Sequence, residues 1–242
     1  MKRDAGGLVF ALVFPTLSSW VYFELFSQPN GGGGAGNYAM QAAWIVGKAI
    51  QFAFPLFWVW VVERSQVWPS KPTLRGLEFG IGFGLLVSGA GLLLYYGLLR
   101  HHPLMQELPE KVRRKATELG MPSPARYFLV VGFLSFVHSL LEEYYWRWFV
   151  FSSLRKRMNF GLATAVSAIF FAAYHVINLS AFFPGRLWTL VMPLSGCIAV
   201  GGAAWAWLYA RTGSIYAPWL SHLLIDAAIF WVGYDLIFVR DA

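Results

Sequence analysis

Nine ionisable side chains stand in stretches of sequence that are otherwise apolar: Lys48, His138, Glu142, Glu143, Arg147, His175, His222, Asp226 and Asp235. Their spacing matters more than their number. The run His138-Ser-Leu-Leu-Glu142-Glu143-Tyr-Tyr-Trp-Arg147 places Glu143 and Arg147 four apart, so on a helix they share a face and can pair. Glu142 points about 100° away from that face, open to other partners. A carboxylate in an apolar setting beside a like charge is a group whose basicity its surroundings can tune, as a general base requires. Phe171-Ala-Ala-Tyr174-His175 adds an imidazole, and His222-Leu-Leu-Ile-Asp226 adds an imidazole and a carboxylate on one helical face. Taken singly, each has a plainer reading. Glu143 with Arg147 reads best as a structural ion pair, and a lone histidine as a helix–helix hydrogen-bonding residue. Taken together, they have to converge. A charge stranded at bilayer depth costs about 2.5–3.5 kcal/mol on the mildest scale, and three apolar segments can shelter such groups only by meeting inside a bundle. Glu24, Glu63 and Glu78 lie near segment ends and can reach water by extending their side chains.

The elements that must position these groups are membrane helices. Hydrophobic residues make up 57% of the 242, and charged residues only 13%; a soluble domain carries about 25% charged. The apolar residues come in blocks of about twenty, the length that crosses a hydrocarbon core, without the alternation of barrel strands. The expected architecture is all-α, a polytopic transmembrane helix bundle of about seven to eight spans forming a single integral membrane domain over 1–242. Spans are predicted at 8–26, 38–62, 77–99, 127–151, 161–182, 187–210 and 214–238, the first being a retained helix rather than a cleaved leader. Gly31–Asn37 reads as a flexible loop, and Pro69 and Pro72 interrupt the chain before the third span. Residues 103–125 are the one substantial polar segment; Leu108, Val112 and Leu119 among their charges predict a short amphipathic surface helix.

The formal charge of +7 does not point to nucleic acid, because the basic residues sit in short inter-span loops, where they set topology and meet anionic headgroups. Lys and Arg divide nine against eight between the two sides, so their balance assigns no orientation. The 12 Trp and 11 Tyr suit interfacial belts. The single cysteine, Cys197, excludes an internal disulfide framework and reads as a small packing residue.

Glu142-Glu143-x-x-x-Arg147, Phe171-x-x-x-His175 and His222-x-x-x-Asp226 resemble, in order, the three motifs of the CAAX-protease and bacteriocin-processing (CPBP, or Abi) intramembrane proteases. The approach Arg211-Thr-Gly-Ser-Ile-Tyr-Ala-Pro218-Trp-Leu-Ser-His222 is similar as well, and the likeness covers a catalytic core at about 127–230. The resemblance implies a glutamic-type endopeptidase in the cell membrane, acting without a cofactor on a membrane-associated peptide or protein. Glu142 would activate water with help from His175, while His222 and Asp226 would stabilise the oxyanion; Glu143, Arg147 and Phe171 would support the site. The family often has Asn where this chain has Asp226. An ionised aspartate cannot donate a hydrogen bond, so Asp226 either carries a proton or orients His222. A lower-ranked alternative is a zinc protease with His138, Glu142, His175 and His222 as ligands, although no HExxH is present. The others are a proton-coupled transporter and a non-catalytic binding protein.

Overall fold

In hydrocarbon a helix satisfies its own amides, and the apolar runs take that solution. The computed structural model describes residues 2–25, 35–65, 73, 76–106 and 108–240, among which there is no strand. The helices are α1 (Lys2–Trp20), α2 (Ala35–Phe57), α3 (Leu77–Leu99), α4 (Leu108–Glu118), α5 (Pro124–Arg155), α6 (Phe160–Phe182), α7 (Leu187–Thr212) and α8 (Tyr216–Val239). All but α4 are long and apolar enough to cross a bilayer, and the apolar spans, Ala5–Phe23 and Gln41–Val62 for the first two, lie within a few residues of those expected. The protein is an integral, multi-pass membrane protein. Leu93 and Trp188, each 77% exposed, are side chains that lipid rather than water would cover. Cys197 also lies on the exposed surface instead of packing inside. Of the Gly31–Asn37 stretch expected as a flexible loop, residues 35–37 are helical as the start of α2; Gly31–Gly34, Pro69 and Pro72 fall outside the described residues.

The chain divides into two compact units, Met1–Ser70 with Tyr144–Trp207, and Lys71–Glu143 with Leu208–Ala242. The divisions fall within α5 and α7. In the first unit α1 packs on α6 and α2, with Phe10, Phe54, Trp58 and Phe149 as an aromatic seam. The buried Tyr145 hydroxyl donates to the Ala11 carbonyl at 2.7 Å. Lys48 donates to Gln51 Oε1 at 3.1 Å and lies over the Tyr174 ring, a local arrangement for an intramembrane cation. Asn159 caps α6 by accepting from the Leu162 amide at 2.9 Å.

In the second unit α3 and α8 run parallel in close contact. Gly80 lies against the Ala217 carbonyl, and a Cβ at Gly84 would sit 2.9 Å from Leu224 Cδ1 and 3.0 Å from Ser221 Cα. Ser88 continues the same face by donating to the Leu224 carbonyl at 3.0 Å. Gly76 opens α3 with φ +81°, a left-handed conformation that a side chain would strain, and lies against Thr212. Gly82, Gly89, Gly91 and Gly97 have open space where a Cβ would be. At the far end the buried Asp235 accepts from Tyr95 at 2.7 Å and from Arg100 through two nitrogens at 3.0 and 3.2 Å. Asp235→Ala leaves the buried Tyr95 hydroxyl unpaired, and is expected to destabilise the protein by about 1–3 kcal/mol. Thermal unfolding in detergent measures this; an unchanged melting curve would mean that the cluster does not stabilise the fold. The amphipathic α4 turns Ala116 and Val112 onto Tyr127, Val131 and Ile237, Leu119 just beyond it joins them, and Arg113 donates to the Ile237 carbonyl at 2.9 Å.

Candidate active site

The second unit gathers an acid–imidazole cluster where α5 meets α8. Here α5 is not a uniform helix. Leu134–His138 forms a wide π turn, Ser139–Glu143 an α segment, and Tyr144–Phe151 is wide again. Such insertions are frequent at functional sites and change which residues share a face, so a wheel of 3.6 residues per turn does not hold beyond Glu143. The turn before the acids is tied to α8, since Trp219 Nε1 donates to the Phe136 carbonyl at 3.0 Å and the two rings meet edge to face. Trp219 is three residues before His222, and Ser221, next to it, rests on Gly84 of α3. Backbone contacts on two sides therefore set the His222 ring.

Around that ring, Nδ1 lies 2.9 Å from Glu143 Oε1, and Nε2 lies 3.6 Å from Asp226 Oδ1 and 3.8 Å from Glu142 Oε2. The other oxygen of Glu142 lies 3.1 Å from His138 Nε2. Glu142 is 3% exposed, Glu143 0% and His222 4%, so water contributes little to their solvation. A carboxylate only accepts, so His222 donates through Nδ1 to Glu143. That leaves Nε2 facing oxygens of two further acids, an arrangement relieved by one proton shared among them.

The first unit holds the remaining motif residues. His175 Nδ1 lies 2.9 Å from the Phe171 carbonyl, which can only accept, so Nδ1 carries a hydrogen and the neutral ring has its lone pair on Nε2. Its ring packs on Phe171 and Tyr174 at 4.8 and 4.0 Å. Arg147 is fully buried, with its guanidinium over the rings of Phe171 at 5.1 Å and Trp205 at 5.6 Å. The Phe171 ring in turn lies close to Gly202, where a Cβ would come within 3.2 Å.

Of the residues singled out from sequence, the second unit brings together Glu142, Glu143, His222, Asp226 and His138. The first holds His175, Arg147 and Phe171. Two details were not anticipated. Glu143, expected to serve Arg147, holds His222, and His138 contacts the Glu142 carboxylate directly. The four-residue spacing of His138 and Glu142 was the available signal for the second. Among the described residues no three His, Cys, Asp or Glu side chains are arranged to hold a metal ion.

Residues 124–228 match a family model described as Type II CAAX prenyl endopeptidase Rce1-like. This region is similar to the Rce1-like family. The family is one of proteases, consistent with the expected CPBP membership. The Rce1-like region contains all the motif residues, from Glu142 to Asp226, and begins and ends within a few residues of the core expected at 127–230. Neither the curated proteins nor the solved structures give a match.

Proposed function

We propose that the protein is an intramembrane endopeptidase of the glutamic type, hydrolysing a peptide bond near the membrane in a membrane-associated substrate such as a prenylated C-terminal tail. The observation that carries this reading is the cluster of the buried Glu142, Glu143 and His222 with the half-buried Asp226 within apolar spans, in a region that matches a protease family model. Glu142 accepts a proton from water, and the water oxygen attacks the scissile carbonyl. The Nε2 lone pair of His175 suits it to orient or deprotonate the same water. His222 and Asp226 stabilise the negative charge that develops on the carbonyl oxygen. With Glu143 orienting His222 at 2.9 Å and Asp226 at 3.6 Å, the proton-carrying form of Asp226 fits that role. The departing amine then takes the proton held by Glu142. Glu143, Arg147 and Phe171 support the assembly, and no cofactor is required.

Purified protein in liposomes, given prenylated peptides and their unmodified counterparts, is expected to release a C-terminal fragment detectable by mass spectrometry. Cleavage is expected to survive a strong chelator. Loss under chelation with recovery on added zinc would replace the glutamate mechanism with a metal one. A parent protein that cuts none of the peptides would shift the assignment to transport or binding.

A further inference from the structure

His138 belongs to none of the three motifs, yet its Nε2 lies 3.1 Å from Glu142 Oε1. We propose that His138 is a positioning residue for Glu142, holding its carboxylate through Oε1 in the orientation a base needs. The inference rests on the reading of Glu142 as the base.

The geometry divides the two oxygens of Glu142 between two imidazoles from different helices. Oε1 is at hydrogen-bonding distance from His138, and Oε2 is 3.8 Å from His222 Nε2, beyond that distance. The carboxylate is thus held by His138 on one side and faces His222, assigned to the oxyanion, on the other. Holding is needed because a glutamate has three rotatable bonds, and a base acts only when its oxygen is fixed near the attacking atom. A misplacement of about 1 Å can cost 100-fold. A carboxylate oxygen accepts and cannot donate, so His138 presents Nε2–H, and this one contact selects both the carboxylate rotamer and the imidazole tautomer.

The scaffold behind His138 supports the same role. His138 ends the wide turn Leu134–His138, and Glu142 lies one turn on in the α segment Ser139–Glu143. Ser139 donates back to the Ser135 carbonyl, and the neighbouring Phe136 carbonyl accepts from Trp219. The position of His138 is thereby referred to the same stretch of α8 that carries His222. A metal ligand at this position would also sit near Glu142, so the test has to separate orientation from coordination.

The variants are His138→Ala and His138→Gln, assayed beside Glu142→Gln for cleavage, KM, melting temperature and bound zinc. Glutamine is the informative replacement, since its side-chain amide can place an N–H near the former Nε2 but is a poor zinc ligand. We expect His138→Ala to lower kcat by about 10–100-fold with KM and melting temperature close to the parent. His138→Gln should recover to within a few-fold of the parent rate. A merely structural role would change stability, and would not be rescued in kcat by a single N–H. Parental kcat for His138→Ala with an inactive Glu142→Gln would overturn the proposal while leaving the protease reading intact. A folded His138→Gln as slow as the alanine variant would also overturn it, and loss of one equivalent of zinc in both would identify a ligand instead. Full activity in Glu142→Gln would remove the base itself, and the positioning role with it. Should His138→Ala fail to fold, His138→Phe takes its place: folded and slow supports the proposal, folded and at the parental rate overturns it.

Discussion

Replacing Glu142 with glutamine is expected to lower peptide cleavage by at least about 1,000-fold, or about 4 kcal/mol of transition-state stabilisation. Glutamine keeps the shape and volume of the side chain in a site that is 3% exposed, so the fold should survive. What it loses is the ability to take a proton. His175→Ala should fall by a similar factor, because a base and the group that orients its water act as a unit and the two losses do not add. Cleavage rates in liposomes, paired with melting curves in detergent, separate a chemical defect from a structural one. Undiminished processing by Glu142→Gln would remove the protease assignment from this site.

Arg147→Ala is expected to act on stability instead. The side chain is fully buried, with its planar guanidinium facing the Phe171 and Trp205 rings, and its proposed partner is Glu143, four residues earlier. Removing it leaves a void beneath two rings and, on the proposed pairing, takes the counter-charge from Glu143. Breaking a buried pair from one side typically costs about 3–5 kcal/mol, a large share of the stability of most proteins. The yield of monodisperse protein and its melting temperature should both drop. Arg147→Lys should rescue only in part, since an ammonium lacks the flat face that stacks on the rings. Normal yield and melting temperature for Arg147→Ala would show that the residue does not hold the fold.

The spans were legible in the sequence because length and apolarity are the very properties a bilayer demands. The motif residues were legible because charge in such a span is costly and so stands out. Residues whose meaning depends on distant partners were less so. Asp235 reads as a functional acid when only its own span is considered, but it is absorbed by Tyr95 and Arg100 at the far end of α3. The amphipathic face of α4 was visible, whereas its packing against Tyr127 and Ile237 is a tertiary choice. The π turns of α5 carry no proline or glycine between Leu134 and Phe151 to mark them, so the change of helical phase around the paired glutamates could not be read in advance. His138 shows the remaining difficulty. A four-residue spacing to Glu142 suits a hydrogen bond and a shared metal equally well, and geometry is needed to favour one.

The glycines of α3 look interchangeable as letters, but they divide into two populations under mutation. At Gly82, Gly89, Gly91 and Gly97 a methyl group would enter open space and raise helix propensity by about 1 kcal/mol, so these positions are free to drift. At Gly80 and Gly84 the same methyl would push back the stretch of α8 on either side of His222. Part of the address of that imidazole is thus written in a helix that carries no motif, and selection on the chemistry would reach α3 through two positions where the permitted side chain is none at all.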